Sequence, residues 1–350
     1  MTHLTRFILV PAVIGALVGL AIILFDGSDV SQRPGYAAAV ARAAPAVVNI
    51  FSTKITQKSP LCRIPAYRAL CEAFPGEQQV QNSLGSGVIV RQDGFVLTNK
   101  HVVEGADEII VMFANNQTTT ANVIGTDPHT DLAVIKVSAQ GLPVIPELSE
   151  EQPRVGDVAL AIGNPFGLGH SVSQGIISAF SRSIITNSPY DDFIQTDAAI
   201  SPGNSGGALV DHAGRLLGIN TMIYSQSGGS EGIGFAIPAD IALSVMSQIV
   251  QHGRVIRGWL GVNLRPQSMP NGPPGLLVTG VNRGGPAHLA GLQRGDFVLS
   301  VNQVNATNAY TITDVIANTK PGNAIELEVL RNQKRFRATA TAGELPDPQI

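Results

Sequence analysis

Charge is scarce in this 350-residue chain. Asp, Glu, Lys and Arg together make up 14% of it, and the formal net charge is −3. No basic run occurs and no aromatics interleave with basic residues, so the footprint of a nucleic-acid binder is missing. The two cysteines, Cys62 and Cys71, lie in one short stretch and cannot by themselves build a zinc site. The GSG at 85–87 lacks the third glycine and following helix of a dinucleotide fingerprint. Neither a metal nor a cofactor is therefore expected, and no internal repeat or low-complexity tract appears. Disorder is excluded as well, because hydrophobic residues reach 44%. What is present is glycine, 37 residues of it beside only 5% aromatics, a mixture suited to short strands and tight turns.

The longest uncharged apolar stretch is FILVPAVIGALVGLAIILF, from Phe7 to Phe25. As a helix it would span roughly 28 Å, close to a bilayer's hydrocarbon core. Arg6 precedes it and Asp26 and Asp29 follow, so the positive-inside bias puts residues 1–6 in the cytoplasm and everything after residue 25 across the membrane. A cleaved signal peptide is the competing reading. The run is longer than the usual signal core and no small-x-small site follows it directly, which favours an uncleaved anchor.

After a tether at 26–36, AAAVARAAPAVVNIFS reads as a short helix feeding a strand. Short apolar or alternating runs then recur between turn signals, among them GSGVIV (85–90), GFVLTN (94–99), DLAVIKV (131–137), DVALAIG (157–163), RLLGINT (215–221) and GIGFAI (232–237). Such strands without intervening helices predict an all-β barrel or sandwich. A helix over PADIALSVMSQIVQHG, with Ile241, Val245, Met246 and Ile249 at helical spacing, ends this first domain near residue 253. A smaller α+β domain follows over 255–342, and 343–350 form a tail.

A serine nucleophile needs a base, and the chain offers seven histidines. Position along the chain leaves His101, His129, His170 and His212. His101 follows a strand directly, which would hold its ring in one orientation. Asp131 opens the apolar strand DLAVIKV, where a carboxylate needs a partner. Ser205 sits in SPGNSGGALV, with glycines on both sides and a buried strand next. Gly203 can adopt backbone angles closed to other residues, so its amide and that of Ser205 can converge on a developing oxyanion. The order His, Asp, Ser matches a known arrangement of this geometry. Asp127 and His129 lie in the turn TDPHT and read as turn chemistry and a solvated loop residue. Asp197 reads as a structural hydrogen-bond partner.

GSGVI (85–89), LTNKHV (97–102), TDLAVIKV (130–137), AIGNPFGLG (161–169), QGIISA (174–179), QTDAAI (195–200), GNSGGALV (203–210) and EGIGFAIP (231–238) resemble the HtrA family of chymotrypsin-fold serine proteases. The likeness runs from about residue 40 to 340. It is closest to the DegS type, with one membrane anchor, one protease domain (37–253) and a single PDZ domain (255–342). The resemblance implies a mainly β double barrel with His101 as base, Asp131 as its orienting acid and Ser205 as nucleophile. It places the oxyanion donors at Gly203 and Ser205, with Asn204 between them. The S1 floor would be Ala199 and Ile200, walled by Leu217, Gly218, Ile219 and Asn220. With no acid available there, cleavage is expected after small or medium aliphatic residues. Trp259, Leu260, Gly261 and Val262 stand at the PDZ carboxylate-binding loop, while Phe166 and Arg182 match positions that pass the peptide signal to the protease. The implied function is cleavage of a single-pass regulator in envelope-stress signalling. The protease would be switched on by exposed C-terminal peptides of misfolded envelope proteins, in a homotrimer at the inner membrane.

Three features depart from that pattern. Pro202 precedes Gly203, and its fixed φ would bias the oxyanion loop toward its working shape. The loop before the first barrel is short, which suits a simple trimer. It also carries Cys62 and Cys71, which across the membrane could close a ten-residue loop, worth about 2–3 kcal/mol. Two rivals stay in view: a general quality-control protease and a non-catalytic PDZ tether or holdase.

Overall fold

The computed structural model describes residues 35–57, 78–146, 152–165, 169–180, 193–201, 203–223, 232–268 and 274–347. The expected anchor at 7–25, Cys62, Cys71, Phe166, Arg182 and Pro202 lie outside the described residues. Among the described residues no helix is long and apolar enough to cross a membrane. The chain divides into residues 1–37 and 38–350, and every described strand belongs to the second unit.

The valine- and isoleucine-rich runs form strands because their branched side chains pack on a pleated surface. After α1 (Ala37–Ala43) and one 3₁₀ turn (Ala44–Ala46) come β1 (Val47–Gln57), β2 (Gln78–Ile89), β3 (Phe95–Asn99), β4 (Glu108–Met112), β5 (Thr118–Asp127) and β6 (Leu132–Val137). They close a barrel in the order β1-β2-β3-β6-β5-β4. Ile50, Ile89, Leu97, Leu132 and Ile135 fill it and are fully buried. A one-turn helix α2 (Lys100–Val103) leaves the end of β3. The second barrel joins β7 (Val158–Gly163), β8 (Ser171–Ala179), β9 (Ile194–Thr196), β10 (Ala208–Val210), β11 (Leu216–Ile223) and β12 (Gly234–Pro238). Its order is β10-β11-β12-β9-β8-β7, closed by β7 pairing with β10 through Ala208 opposite Ile162.

Helix α3 (Ala239–His252) ends at Gly253, whose φ of +75° is the left-handed terminator that glycine supplies. Its buried face is Ala239, Ala242, Val245 and Ile249. Two of the expected apolar positions, Ile241 and Met246, are only half-buried, because the small alanines let the helix approach the barrel. Ile249 packs at Gly125, where an added Cβ would stand 2.8 Å from Ile249 Cγ2 and 2.6 Å from Gly253 O.

Beyond α3 lie β13 (Gly258–Trp259), β14 (Val262–Ser268), β15 (Pro274–Val281), α4 (Pro286–Leu289), β16 (Phe297–Val301), β17 (Val304–Asn305), α5 (Ala309–Ala317), β18 (Ala324–Arg331), β19 (Lys334–Thr341) and β20 (Gly343–Glu344). The main sheet runs β14-β15-β16-β18-β19, with β17 on β16, and β13 pairs separately with β20. β13 and β14 are separate strands, because Gly261 between them, at φ +76°, turns the chain out of the extended region. Alternation in β18 sends Ile325, Leu327 and Val329 inward, where they meet Leu276, Val298 and Ile312. Asn308 caps α5 by accepting from Tyr310 N at 2.9 Å.

Because Ile249 is fully buried where α3 meets β5, Ile249→Ala is expected to cost about 2–5 kcal/mol, read from the denaturant midpoint.

Candidate active site

Strand β3 ends in Asn99, and α2 starts one residue later, so the first residues of α2 project from a rigid edge. Lys100 N donates to Asp131 O at 2.8 Å and Asn99 Nδ2 to the same oxygen at 3.1 Å. Asp131 itself sits at φ +56°, a left-handed conformation costly for a residue with a Cβ unless its surroundings impose it. Those surroundings are dense. Its Oδ1 accepts from His101 N at 3.0 Å, its Oδ2 lies 2.6 Å from His101 Nδ1, and Oδ2 also accepts from Thr221 Oγ1 at 3.2 Å. With the carboxylate accepting, Nδ1 is the protonated nitrogen and Nε2 is left as an acceptor.

Thr221 comes from β11 of the second barrel, and its carbonyl accepts Ser205 Oγ at 3.0 Å. One residue thus touches both ends of the expected triad: the hydroxyl of Thr221 holds the acid, its carbonyl the serine. In this structure the Ser205 proton points to Thr221 O and not to His101. The residues expected to act together are therefore gathered at one junction, with Thr221, which no motif singled out, as the connector. Its only trace in the sequence is a polar residue following the apolar run of β11.

The loop carrying Ser205 is tied down on both sides. Ser205 O accepts from Ser86 N at 2.8 Å, and Gly206 N donates to Asn220 O at 2.7 Å. Asn204 N reaches Ser201 O and Gly207 N reaches Asn204 O, each at 2.9 Å. Among the described residues the amides of Gly203 and Ser205 donate to no backbone carbonyl. Gly203 has φ +96° and Gly206 φ +82°. A Cβ on Gly206 would overlap Ser86 O and Thr98 Oγ1, so glycine is required there by space as well as by angle.

The expected S1 residues fall in different places. Ala199 O accepts Ser173 Oγ at 2.6 Å. Ile200 is buried, its Cδ1 2.8 Å from where a Cβ on Gly234 would be. Leu217 packs into the second core, Gly218 and Ile219 pair across to β10, and Asn220 Nδ2 donates to Ala208 O at 3.1 Å. These four lie inside the barrel wall, and the backbone beside Ser205 Oγ begins one residue further, at Thr221. Phe166 and Arg182 lie outside the described residues. Asp197 Oδ1 accepts from Ile176 N at 2.7 Å. Among the described residues no His, Cys, Asp or Glu cluster could hold a metal.

The turn TDPHT does more than turn the chain. Asp127, buried at the end of β5, takes both Arg257 nitrogens, Nη1 to Oδ1 at 2.8 Å and Nη2 to Oδ2 at 2.7 Å. Thr130 Oγ1 adds a bond to Oδ2 at 2.6 Å. Burial opposes charge on Asp127, but the hydrogen bond and charge of Arg257, with the bonds from Thr130 and the His129 amide, outweigh it and hold the carboxyl below its ordinary range. His129 is half-buried and not a solvated loop residue. Burial lowers its pKa, aided by Arg257 and opposed by Asp127 and by Pro346 and Asp347 of the tail. A partner 130 residues away leaves no local mark in a sequence.

In the second domain the Trp259 ring lies against the faces of Gly261, Gly285 and Gly343, with Cβ positions there 3.1 to 3.3 Å from ring carbons. Leu260 is buried in the core, and its carbonyl accepts Ala287 N at 2.9 Å. Val262 opens β14, which among the described residues pairs on one side only, with β15.

Paired six-stranded barrels with serine, histidine and aspartate at their junction define a trypsin-like serine endopeptidase. A family model described as a trypsin-like peptidase domain matches residues 85–219, and one described as a PDZ domain matches 248–330. "Serine endoprotease DegS" of Salmonella typhimurium is 40% identical over 339 residues, covering 93% of this chain and 90% of the relative. "Probable periplasmic serine endoprotease DegP-like" of Halomonas elongata is 39% identical over 376 residues, covering 100% of this chain and 78% of the relative. The solved structure titled "HtrA-type protease AlgW with tripeptide" superposes with a TM-score of 0.79 at 46% identity, covering 90% of this chain and 99% of that one. The chain belongs to the HtrA-type serine endoproteases, in the DegS-type arrangement of one peptidase domain and a single PDZ domain.

The Asp127 carboxyl, depressed in the folded state, stabilises above its unfolded pKa of about 3.9 and loses that contribution as pH falls through the folded value. Asp127→Asn is therefore expected to flatten the acid limb of a stability-versus-pH curve below about pH 4. Arg257→Ala at neutral pH leaves a buried carboxylate unpaired and should cost about 3–5 kcal/mol by chemical denaturation.

Proposed function

We propose that this protein is a membrane-anchored periplasmic endopeptidase that uses His101, Asp131 and Ser205 as a triad and is regulated through its PDZ domain. The observation that carries the triad is the shared carboxylate: Asp131 holds His101 on one side and, through Thr221, the hydroxyl-bearing loop on the other. Ser205 Oγ attacks the scissile carbonyl while its proton passes to His101 Nε2. The carbonyl oxygen becomes an anion facing the amides of Gly203 and Ser205. The protonated imidazole, steadied by Asp131, gives its proton to the departing amine. The acyl-enzyme is then released by water, whose proton takes the same route. Ala199 and Ile200 supply no charge, so small or medium aliphatic P1 side chains are favoured.

Three features support the regulatory half. The free edge of β14 can take an added peptide strand, and the loop 259–262 stands at its start to receive a terminal carboxylate. The Asp127–Arg257 pair joins the beginning of the PDZ domain to the turn that ends in Asp131, so a shift of one domain is felt at the acid. The names of the relatives support a periplasmic location, and the uncharged run 7–25 supports an inner-membrane anchor. The proposed substrate is a single-pass regulator of envelope stress, the activators are exposed C-terminal peptides of misfolded envelope proteins, and the assembly is a homotrimer.

Two measurements check this reading. Asp131→Asn is expected to lower kcat by about 10⁴, because the imidazole is then held in the wrong tautomer. Proteolysis of a candidate regulator should depend on added peptides with different hydrophobic C-termini, and Leu260→Ala should abolish the dependence. A rate indifferent to every tail would remove the PDZ switch while leaving the triad standing, and cleavage of many unfolded proteins at many sites would favour general quality control.

A further inference from the structure

Ser86 is a polar residue in the apolar strand segment GSGVI, and it is fully buried. A buried hydroxyl left without partners costs about 1–3 kcal/mol, so where its bonds go is informative. Its Oγ accepts from Asn164 N at 2.9 Å and donates to Gly203 O at 2.7 Å. Because the Asn164 amide occupies a lone pair, the single Ser86 proton is committed to Gly203. The backbone of the same residue binds the other half of the loop: Ser86 N donates to Ser205 O at 2.8 Å, and Ser86 O is held by Thr98 Oγ1 at 2.7 Å. Asn49, directly opposite Ser86 in β1, gives its side-chain amide to Asn164 O. The relay therefore begins in the first barrel, crosses to Asn164 after β7, and returns through Ser86 to the loop of the second.

We propose that Ser86 is a positioning residue for the oxyanion pocket, fixing the carbonyls of Gly203 and Ser205 so that the amides of those same two residues face the substrate. A carbonyl held in place fixes the plane of its own peptide; the Gly203 and Ser205 N–H groups lie in the peptides just before the held ones, so each is oriented through its own residue's backbone angles, with Gly203 at φ +96°. The Ser86 side chain holds the Gly203–Asn204 peptide and the Ser86 amide holds the Ser205–Gly206 peptide. Gly85 keeps the strand close enough for both, since a Cβ there would stand 3.3 Å from Ser205 O and 2.6 Å from Val102 Cγ1. Removing the hydroxyl leaves Gly203 O free to rotate toward the cleft, where it would repel the developing oxyanion. Ser86 touches no substrate atom, so its effect belongs to the transition state and not to ground-state binding.

This inference rests on the triad and oxyanion assignment proposed above, and its test separates the two. The full chain carrying Ser86→Ala is assayed with a peptide substrate and with a peptide boronate whose tetrahedral adduct needs the same two amides. The expected result is a fall in kcat of about 10- to 100-fold, below the 10²–10³ for deleting a whole oxyanion donor. KM stays within about twofold and the boronate Ki rises by the same factor as kcat falls. A role confined to packing would lower the melting temperature without that proportional change in Ki. Ser86→Cys keeps the shape with a weaker donor; it is expected to fall between the two, and it carries the test if the alanine variant does not fold. A folded variant with the unsubstituted kcat, or a loss confined to KM, overturns the proposal. Absence of turnover by the unsubstituted chain, with and without added peptides carrying hydrophobic C-termini, would instead bring down the triad reading, and this inference with it.

Discussion

Everything at the junction of the two barrels depends on the backbone and carboxylate of Asp131. An unfavourable left-handed conformation is imposed on it by bonds from Asn99, Lys100 and His101 on the first barrel and from Thr221 on the second. Strain of this kind persists only where several contacts over-determine it. Here each contact comes from an element fixed by its own core: β3 by the first barrel, β11 by the second.

Polar order in the cleft is sustained by burial around it. Thr98, Asn99, Ser86 and Asn220 are all fully buried among strands whose neighbours are valine, isoleucine and leucine. In that low-dielectric setting each hydrogen bond is electrostatically stronger than in water and each unmade one costs more, so the network has few alternative arrangements. Glycine spacing makes it possible. Gly206 and Gly207 let the Ser205 loop lie against Ser86 O and Ile162 O, where any side chain would collide with backbone.

Much of this was legible in the residues. The strand runs, the helix stop at Gly253, and the positions of His101, Asp131 and Ser205 beside turn or strand signals all carry local signatures, since burial periodicity and turn chemistry act over a few residues. What stayed illegible was long-range and polar. Thr221 reads as the end of a strand and Asp127 as a turn former, and Arg257 carries no signal of its own, yet the first joins serine to acid and the other two meet across 130 positions. The face of α3 was misjudged for a related reason. Hydropathy weights Ile241 and Met246, whereas the buried face is Ala239, Ala242, Val245 and Ile249, with Ile249 against Gly125.

The central claim is that His101, oriented by Asp131, activates Ser205. It is tested most directly by mapping the adduct of a fluorophosphonate probe on the full chain by mass spectrometry, with and without His101→Ala. The account predicts a single adduct on Ser205 that forms readily in the unsubstituted protein and is lost when the imidazole is removed. An adduct on a different serine, or labelling of Ser205 at an unchanged rate without His101, would contradict it.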